Sequence, residues 1–251
     1  TIVGTKVSYK EDDSESTTTD ISFEYDAEGR LVGMSGTMDG GKATFSYSEG
    51  HVVTECDERK VDYTLENGRA VSYSLVDTDP DEPFSLSGKI AYDAANYING
   101  ITYSTTKGYK TAADIVLSYT NGTLRTYELA ETYRDGKDGK YLQSWNVTSS
   151  EVVNNTKLDL FGVIGVAMGL EDDVWYEFVP AYLLNIGGNR TYYLPSVIEL
   201  KYDDGGYKGT VTQRFDYAMT DEYVSKITIN ADDVSEDPYS EQYIIEIRYE
   251  E

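Results

Sequence analysis

The chain has 251 residues, 13% of them aromatic, a single cysteine and a formal net charge of −24. One cysteine excludes an intramolecular disulfide framework and a cysteine-based zinc site, and no run approaches the ~18 apolar residues of a membrane helix. Nucleic acid and anionic lipid headgroups need clustered Lys and Arg; with 45 acidic residues against 21 basic ones and no basic cluster, neither is a partner.

A first strand is expected over 2–9, ahead of the acidic turn Asp12-Asp13-Ser14-Glu15. Ile21-Ser22-Phe23-Glu24-Tyr25 then alternates strictly, which puts Ile21, Phe23 and Tyr25 on one face of a strand. A polar turn carrying Gly29 follows, and alternation resumes at Leu31. Looser copies of this strand–turn–strand unit centre on Tyr47 with Gly50, Tyr63 with Asn67-Gly68, Tyr92 with Asn96, and Tyr119 with Asn121-Gly122. Asn-Gly is the strongest tight-hairpin signal, because both turn residues take positive φ. The recurring Tyr falls at the inward position, where a ring packs and its hydroxyl finds a polar partner. Further strands are expected over 142–148, 194–203, 207–217, 223–230 and 242–249, making about fourteen to sixteen of about seven or eight residues each.

The repeat lapses between about 150 and 190. Thr156-Lys157-Leu158-Asp159 resembles a capping box, and Leu158 to Met168 is apolar nearly all round, as an enclosed helix would be. A second apolar stretch, Val174-Trp175-Tyr176, breaks at Pro180 and ends at Gly187-Gly188. A barrel of more than about eight strands is too wide for its own side chains to fill. The expected fold is therefore all-β: one domain, 1–251, forming a large antiparallel meander closed or nearly closed into a barrel. Repeat-rich strands (1–149) and closing strands (191–251) flank an apolar insert whose part at about 156–188 lies inside the barrel or across one end. Two stacked sheets are the alternative.

Phe23-Glu24-Tyr25-Asp26-Ala27-Glu28-Gly29-Arg30-Leu31 resembles the core of a YD (Rhs-type) repeat; Tyr92-Asp93 and Tyr202-Asp203 are partial copies. With the segments Asn155-Thr156-Lys157-Leu158-Asp159-Leu160 and Asn189 to Val197, the whole chain resembles a group of secreted Bacteroidetes lipoproteins with a porin-like barrel and no assigned function. That resemblance implies export from a Gram-negative cell, a periplasm-facing or outer-surface location, a lipid anchor upstream of residue 1, and no catalytic residues.

A hydrolytic triad needs a base beside its nucleophile. His51, the one histidine, opens a strand after a turn glycine, and Cys56, five residues on, faces the other way. Asp77, Asp79 and Asp81 begin like a calcium loop, but Glu82 stands where an EF-hand has its Gly and Gly88 where it has its terminal Glu. Trp145, Trp175, Tyr192 and Tyr193 lie outside the clear repeats and are candidate ligand-facing aromatics. The expected function is non-enzymatic binding of a glycan or another protein at the cell surface. The alternative is a polysaccharide hydrolase using two carboxylates.

Overall fold

A computed structural model describes residues 1–12, 14, 16–36, 41–56, 59–79, 83–107, 110–135, 137–168, 181–235 and 238–250; at 106–107, 110–111, 133–135 and 137–139 it describes the backbone alone. The opening alternation becomes β1 (Ile2–Glu11), which turns back into β2 (Thr17–Tyr25) and β3 (Leu31–Ser35). The looser repeats build β4 (Lys42–Ser48) with β5 (His51–Cys56), β6 (Arg59–Glu66) with β7 (Arg69–Asp77), and β8 (Phe84–Tyr92) with β9 (Ile98–Lys107). β10 (Lys110–Thr120), β11 (Thr123–Asp135) and β12 (Lys137–Val153) lead to the apolar segment, whose helix α1 spans Leu160–Ala167. β13 (Tyr193–Asp204), β14 (Tyr207–Thr220), β15 (Tyr223–Val234) and β16 (Ser240–Tyr249) complete the chain. Each strand pairs antiparallel with its sequence neighbours, and β16 returns to β1 with Ile245 opposite Val7, closing the barrel at sixteen strands. Closure leaves no edge to template aggregation.

Twelve of the strands have nine or more residues, longer than the alternation suggests. They run on through hydroxyl-bearing and charged residues that ladder bonding, rather than burial, keeps extended. Strand length therefore does not distinguish this barrel from one that spans lipid. The side-chain pattern does. On β16, Tyr243, Ile245 and Ile247 are buried while Gln242, Glu246 and Arg248 are exposed; on β4, Ala43 and Phe45 alternate with exposed Lys42, Thr44 and Ser46. A lipid-spanning barrel has the opposite arrangement, an apolar band outside. Ion pairs lie on the outer surface, among them Lys60–Glu55 at 2.7 Å and Arg248–Asp20 at 3.0 Å.

The meander has two unlike rims. The proximal rim holds both chain ends and the short turns of the repeat. In its first turn Gly29 has φ +73°, Asp26 Oδ1 accepts from the Arg30 amide at 2.8 Å, and Asp26 Oδ2 accepts from Arg30 Nε at 2.7 Å. The Tyr92 copy reproduces this, with Asp93 Oδ1 accepting from the Tyr97 amide and Asn96 (φ +65°) in place of glycine. Asn67-Gly68 and Asn121-Gly122 have positive φ at both positions, as a two-residue hairpin of this twist requires. The distal rim gathers the acidic turns after β1, β7 and β15, far apart in sequence.

The segment after β12 closes the proximal end. Asp159 caps α1 through a bond from the Phe161 amide, so the helix starts at Leu160 and not behind Thr156, whose hydroxyl donates to the Leu158 carbonyl. Phe161, Ile164 and Met168 are all buried and join one core cluster with inward strand residues such as Ile98, Leu117 and Ile227. Gly162 lets α1 lie backbone to backbone on residues 181–184, since a Cβ there would sit 3.1 Å from the Leu183 nitrogen. Residues 174–180, including Trp175, lie outside the described residues.

Candidate functional site

The segment that fills the proximal end also shapes a cleft in it. Ala181–Leu183 form a single helical turn, ended by bonds from the Asn185 amide to the Tyr182 carbonyl and from the Ile186 amide to the Ala181 carbonyl, both 3.0 Å. This Schellman pattern puts Asn185 at φ +55°. The chain then threads along the turns of the repeat. The Ala70 amide donates to the Ile186 carbonyl, the Asn189 amide to the Asn96 carbonyl, and the Tyr192 amide to the Gly122 carbonyl. Gly188 must be glycine, because at φ +75° a Cβ would lie 2.5 Å from the Asn96 carbonyl oxygen.

The resulting cleft, about 320 Å³, is lined by Tyr97, Tyr182, Asn185, Gly187, Gly188, Asn189 and Arg190. Its walls are held from behind. Tyr97 stacks on Tyr119 with centroids 4.7 Å apart, and the Tyr119 and Tyr182 hydroxyls bond at 2.8 Å. Phe161 of α1 meets the Tyr182 ring edge-on at 6.2 Å. Burial, the larger cause, and the neighbouring phenol raise the Tyr182 pKa, so it stays neutral. Asn185 Nδ2 donates to the Lys157 carbonyl, Asn189 Nδ2 to the Ala95 carbonyl, and Arg190 Nη1 to the Thr156 carbonyl. Both amide side chains are thus fixed by their nitrogens. Below the cleft Asp159 is fully buried; burial raises its pKa against the opposing bonds from Asn154 and the Phe161 amide.

Of the aromatics singled out in the sequence, Tyr192 stands beside this cleft. A Cβ on Gly122 would lie 2.6 Å from the Tyr97 hydroxyl and 3.8 Å from Tyr192 Cβ, and Tyr192 is 51% exposed. Tyr193 meets it edge-on at 4.7 Å and is half-buried. Trp145 is elsewhere: it is buried and stacks on Tyr127, its cross-strand partner, at 4.4 Å. Tyr97 and Asn185 were not singled out, and Asn189 and Arg190 only as part of the family-like segment, because only the docking of 181–192 against distant turns brings the four together.

Asp77 is buried at the distal rim, where its Oδ2 receives Arg59 Nε at 3.0 Å and Nη2 at 2.8 Å, and its Oδ1 receives the Asp79 amide. Asp81 lies outside the described residues, among which no group of three His, Cys, Asp or Glu side chains is placed to share a metal ion. His51 points outward and bonds Asp62 at 2.9 Å, while Cys56 packs against the core. A second, larger depression of about 540 Å³ lies over β6–β10, with Ser74, Ser87 and Ser104 among its lining. The rings of Tyr73 and Tyr103 in that region are buried.

No protein-family model and no curated protein matches the chain. Among solved structures, it is similar to a porin-like protein from Bacteroides vulgatus ATCC 8482, with TM-score 0.69 and 16% identity over 100% of this chain and 99% of that one. It is also similar to a porin-like protein from Bacteroides uniformis ATCC 8492, with TM-score 0.64 and 18% identity over 97% and 96%. At these identities the likeness extends to the fold: this chain has the barrel architecture of the Bacteroides porin-like proteins.

Proposed function

We propose that the protein is a non-enzymatic glycan-binding protein of the Gram-negative envelope or cell surface, tethered by a lipid anchor upstream of residue 1, and that the proximal cleft receives the glycan. The observation that carries this reading is the lining of the cleft. Aromatic rings beside planar amide and guanidinium groups suit a sugar, which offers a C–H face and hydroxyls that both donate and accept. The cleft is also of ligand size and its walls are braced before any ligand arrives. The polar outside and filled proximal end support a binding role over a channel, and the likeness to Bacteroides barrels supports the setting.

The hydrolase alternative finds less support. Asp159 is fully buried as a helix cap, and Asp93 accepts from the Ala95 and Tyr97 amides within its own turn. Each is engaged through its Oδ1, and no carboxylate is among the described residues that line the cleft. A glycan array probed with the whole chain is expected to give hits that Tyr97→Ala and Asn189→Ala each weaken at least tenfold, with no reducing sugar released from the glycan bound. Hits indifferent to both substitutions would remove the cleft from the account. Sugar release lost in Asp93→Asn would favour the hydrolase.

A further inference from the structure

The inward ends of β1, β13, β14, β15 and β16 bring a set of phenols and carboxylates together at the distal rim. Tyr9 and Tyr243 face each other across β1 and β16 with ring centroids 4.9 Å apart. Both donate to Glu241, Tyr9 to Oε1 at 3.0 Å and Tyr243 to Oε2 at 3.3 Å. On the adjoining strands, Tyr202 donates to Asp233 Oδ2 at 3.1 Å and Tyr207 to the Ser235 hydroxyl at 3.2 Å. The two halves adjoin across β15 and β16: Asp233 stands opposite Tyr239 and Glu241 opposite Ala231, which makes Asp233 and Glu241 diagonal neighbours on the inner face. The rings are held in place, Tyr202 lying over bare Gly209, where a Cβ would come within 2.2 Å of its hydroxyl.

The chemistry of this mouth is one-sided. Four of its phenols give their single proton to a neighbour within the set, so the cluster turns mainly acceptors outward. Glu11, Asp12, Asp233 and Glu241 supply four carboxylates, and none of them forms an ion pair with a described Lys or Arg. Asp233 is 4% exposed, yet its Oδ1 has no hydrogen-bond partner. A buried carboxylate oxygen without a donor is costly unless something supplies one. A sugar would bring as many acceptors as donors. A metal ion would need three converging ligands, and the described residues hold no such group. A primary ammonium brings three donors, no acceptor and a positive charge that aromatic faces attract.

We propose that the distal mouth is a binding site for a primary alkylammonium group, carried either by a free polyamine or by a lysine side chain of a partner protein, with Asp233 Oδ1 and the Glu241 carboxylate receiving its N–H bonds. The acidic chain concentrates cations around itself, and this mouth is where they meet fixed acceptors. The site is separate from the proximal cleft, at the other end of the barrel. Burial, and behind it Glu11 and Asp12, hold the Glu241 carboxyl above its ordinary pKa against the bonds from Tyr9 and Tyr243. An ammonium in the mouth lowers it.

Calorimetric titration of the whole chain with spermidine, in about 0.15 M salt to screen diffuse attraction, is expected to show saturable one-to-one binding. Asp233→Asn and Glu241→Gln should each weaken it at least tenfold, and Arg190→Ala in the proximal cleft should leave it unchanged. Competition by N-acetyl-lysine methylamide at comparable concentration would identify a protein lysine as the source; competition only by polyamines would identify a free amine. Because Asp233→Asn alters a buried site, the unsubstituted chain offers a second measurement: carbon NMR of the Glu241 carboxyl should show its titration moving to lower pH with spermidine. Absence of saturable binding, substituted chains that titrate like the original, or a Glu241 titration that spermidine does not move would each overturn the proposal.

Discussion

Tyr25, Tyr47, Tyr92, Tyr217 and Tyr249 show why tyrosine punctuates this sequence. Each lies at or near the end of an even-numbered strand at the proximal rim, and its hydroxyl donates to one of the first carbonyls of the preceding strand: Ile2, Leu31, Ala70, Pro195 and Val224, at 2.6–2.8 Å. The phenol ties together the open end of a hairpin whose loop is at the opposite rim. Burial pushes Tyr25, Tyr47, Tyr92 and Tyr249 up to about 12. Tyr92→Phe removes one such tie and leaves the Ala70 carbonyl without it, so chemical denaturation should show a loss of about 1–2 kcal/mol. A raised tyrosine pKa contributes stability that is whole below the ordinary value near 10 and disappears as pH climbs through about 12. Phenolate absorbance should accordingly show these rings ionising late, together with unfolding. The inward placement of Tyr25, Tyr47 and Tyr92 was legible from period-two alternation, but the bonding was not, because their carbonyl partners lie 16 to 23 residues earlier. Tyr63 and Tyr119 look the same in sequence and differ in role: Tyr63 packs against Tyr73 deeper in the barrel, and Tyr119 braces Tyr182.

At the scale of elements, α1 illustrates where sequence reasoning stops. Its apolar character on every side announced burial, and Phe161, Ile164 and Met168 are buried as that implies. The cap was ambiguous because Thr156 and Asp159 are both capping residue types; the tertiary bond from Asn154 Nδ2 to Asp159 Oδ1, at 2.8 Å, favours the aspartate. Phe161→Ala should cost about 3–5 kcal/mol through lost transfer energy and the cavity left behind, read from denaturant midpoints, and a near-neutral result would mean that the segment does not fill the barrel. Asp159 carries its own signature. Since burial raises its pKa in the folded chain, the stability it contributes is complete below the unfolded value near 3.9 and is lost as pH rises through the folded one. Asparagine caps equally well and never ionises. Asp159→Asn should therefore flatten the fall in melting temperature as pH rises above about 4, relative to the original chain. Parallel profiles would show that the cap residue is not the group responsible.

For the whole molecule, the local repeat made the barrel legible, because a hairpin meander needs only neighbouring strands to pair and closure adds the single long-range pairing of β1 with β16. The proximal cleft was not legible in the same way. Its residues come from 97 and 182–190, and nothing in their spacing records that Gly188 lies against Asn96. The distal cluster was half legible: the acidic turns were evident, but not that the meander's parity sends those after β1, β7 and β15 to one rim. That same parity decides how this porin-like barrel meets a bilayer. Its outward rows present Lys42, Asp114, Glu246 and Arg248, with Val116 and Leu142 as scattered apolar exceptions. A charged side chain facing lipid near the bilayer midplane costs a barrel about 2–4 kcal/mol, and rows of them would outweigh any gain from insertion. Inside, α1 and residues 181–186 occupy the proximal end with side chains that are almost all buried. Planar-bilayer recordings with the purified chain should therefore show no conductance steps, and flotation with liposomes of neutral lipid should leave it in the aqueous fraction unless a lipid anchor is attached. Stepwise conductance at any salt concentration would mean that the outward rows can reach lipid after all, and that the segment from Asn154 to Tyr192 can leave the barrel.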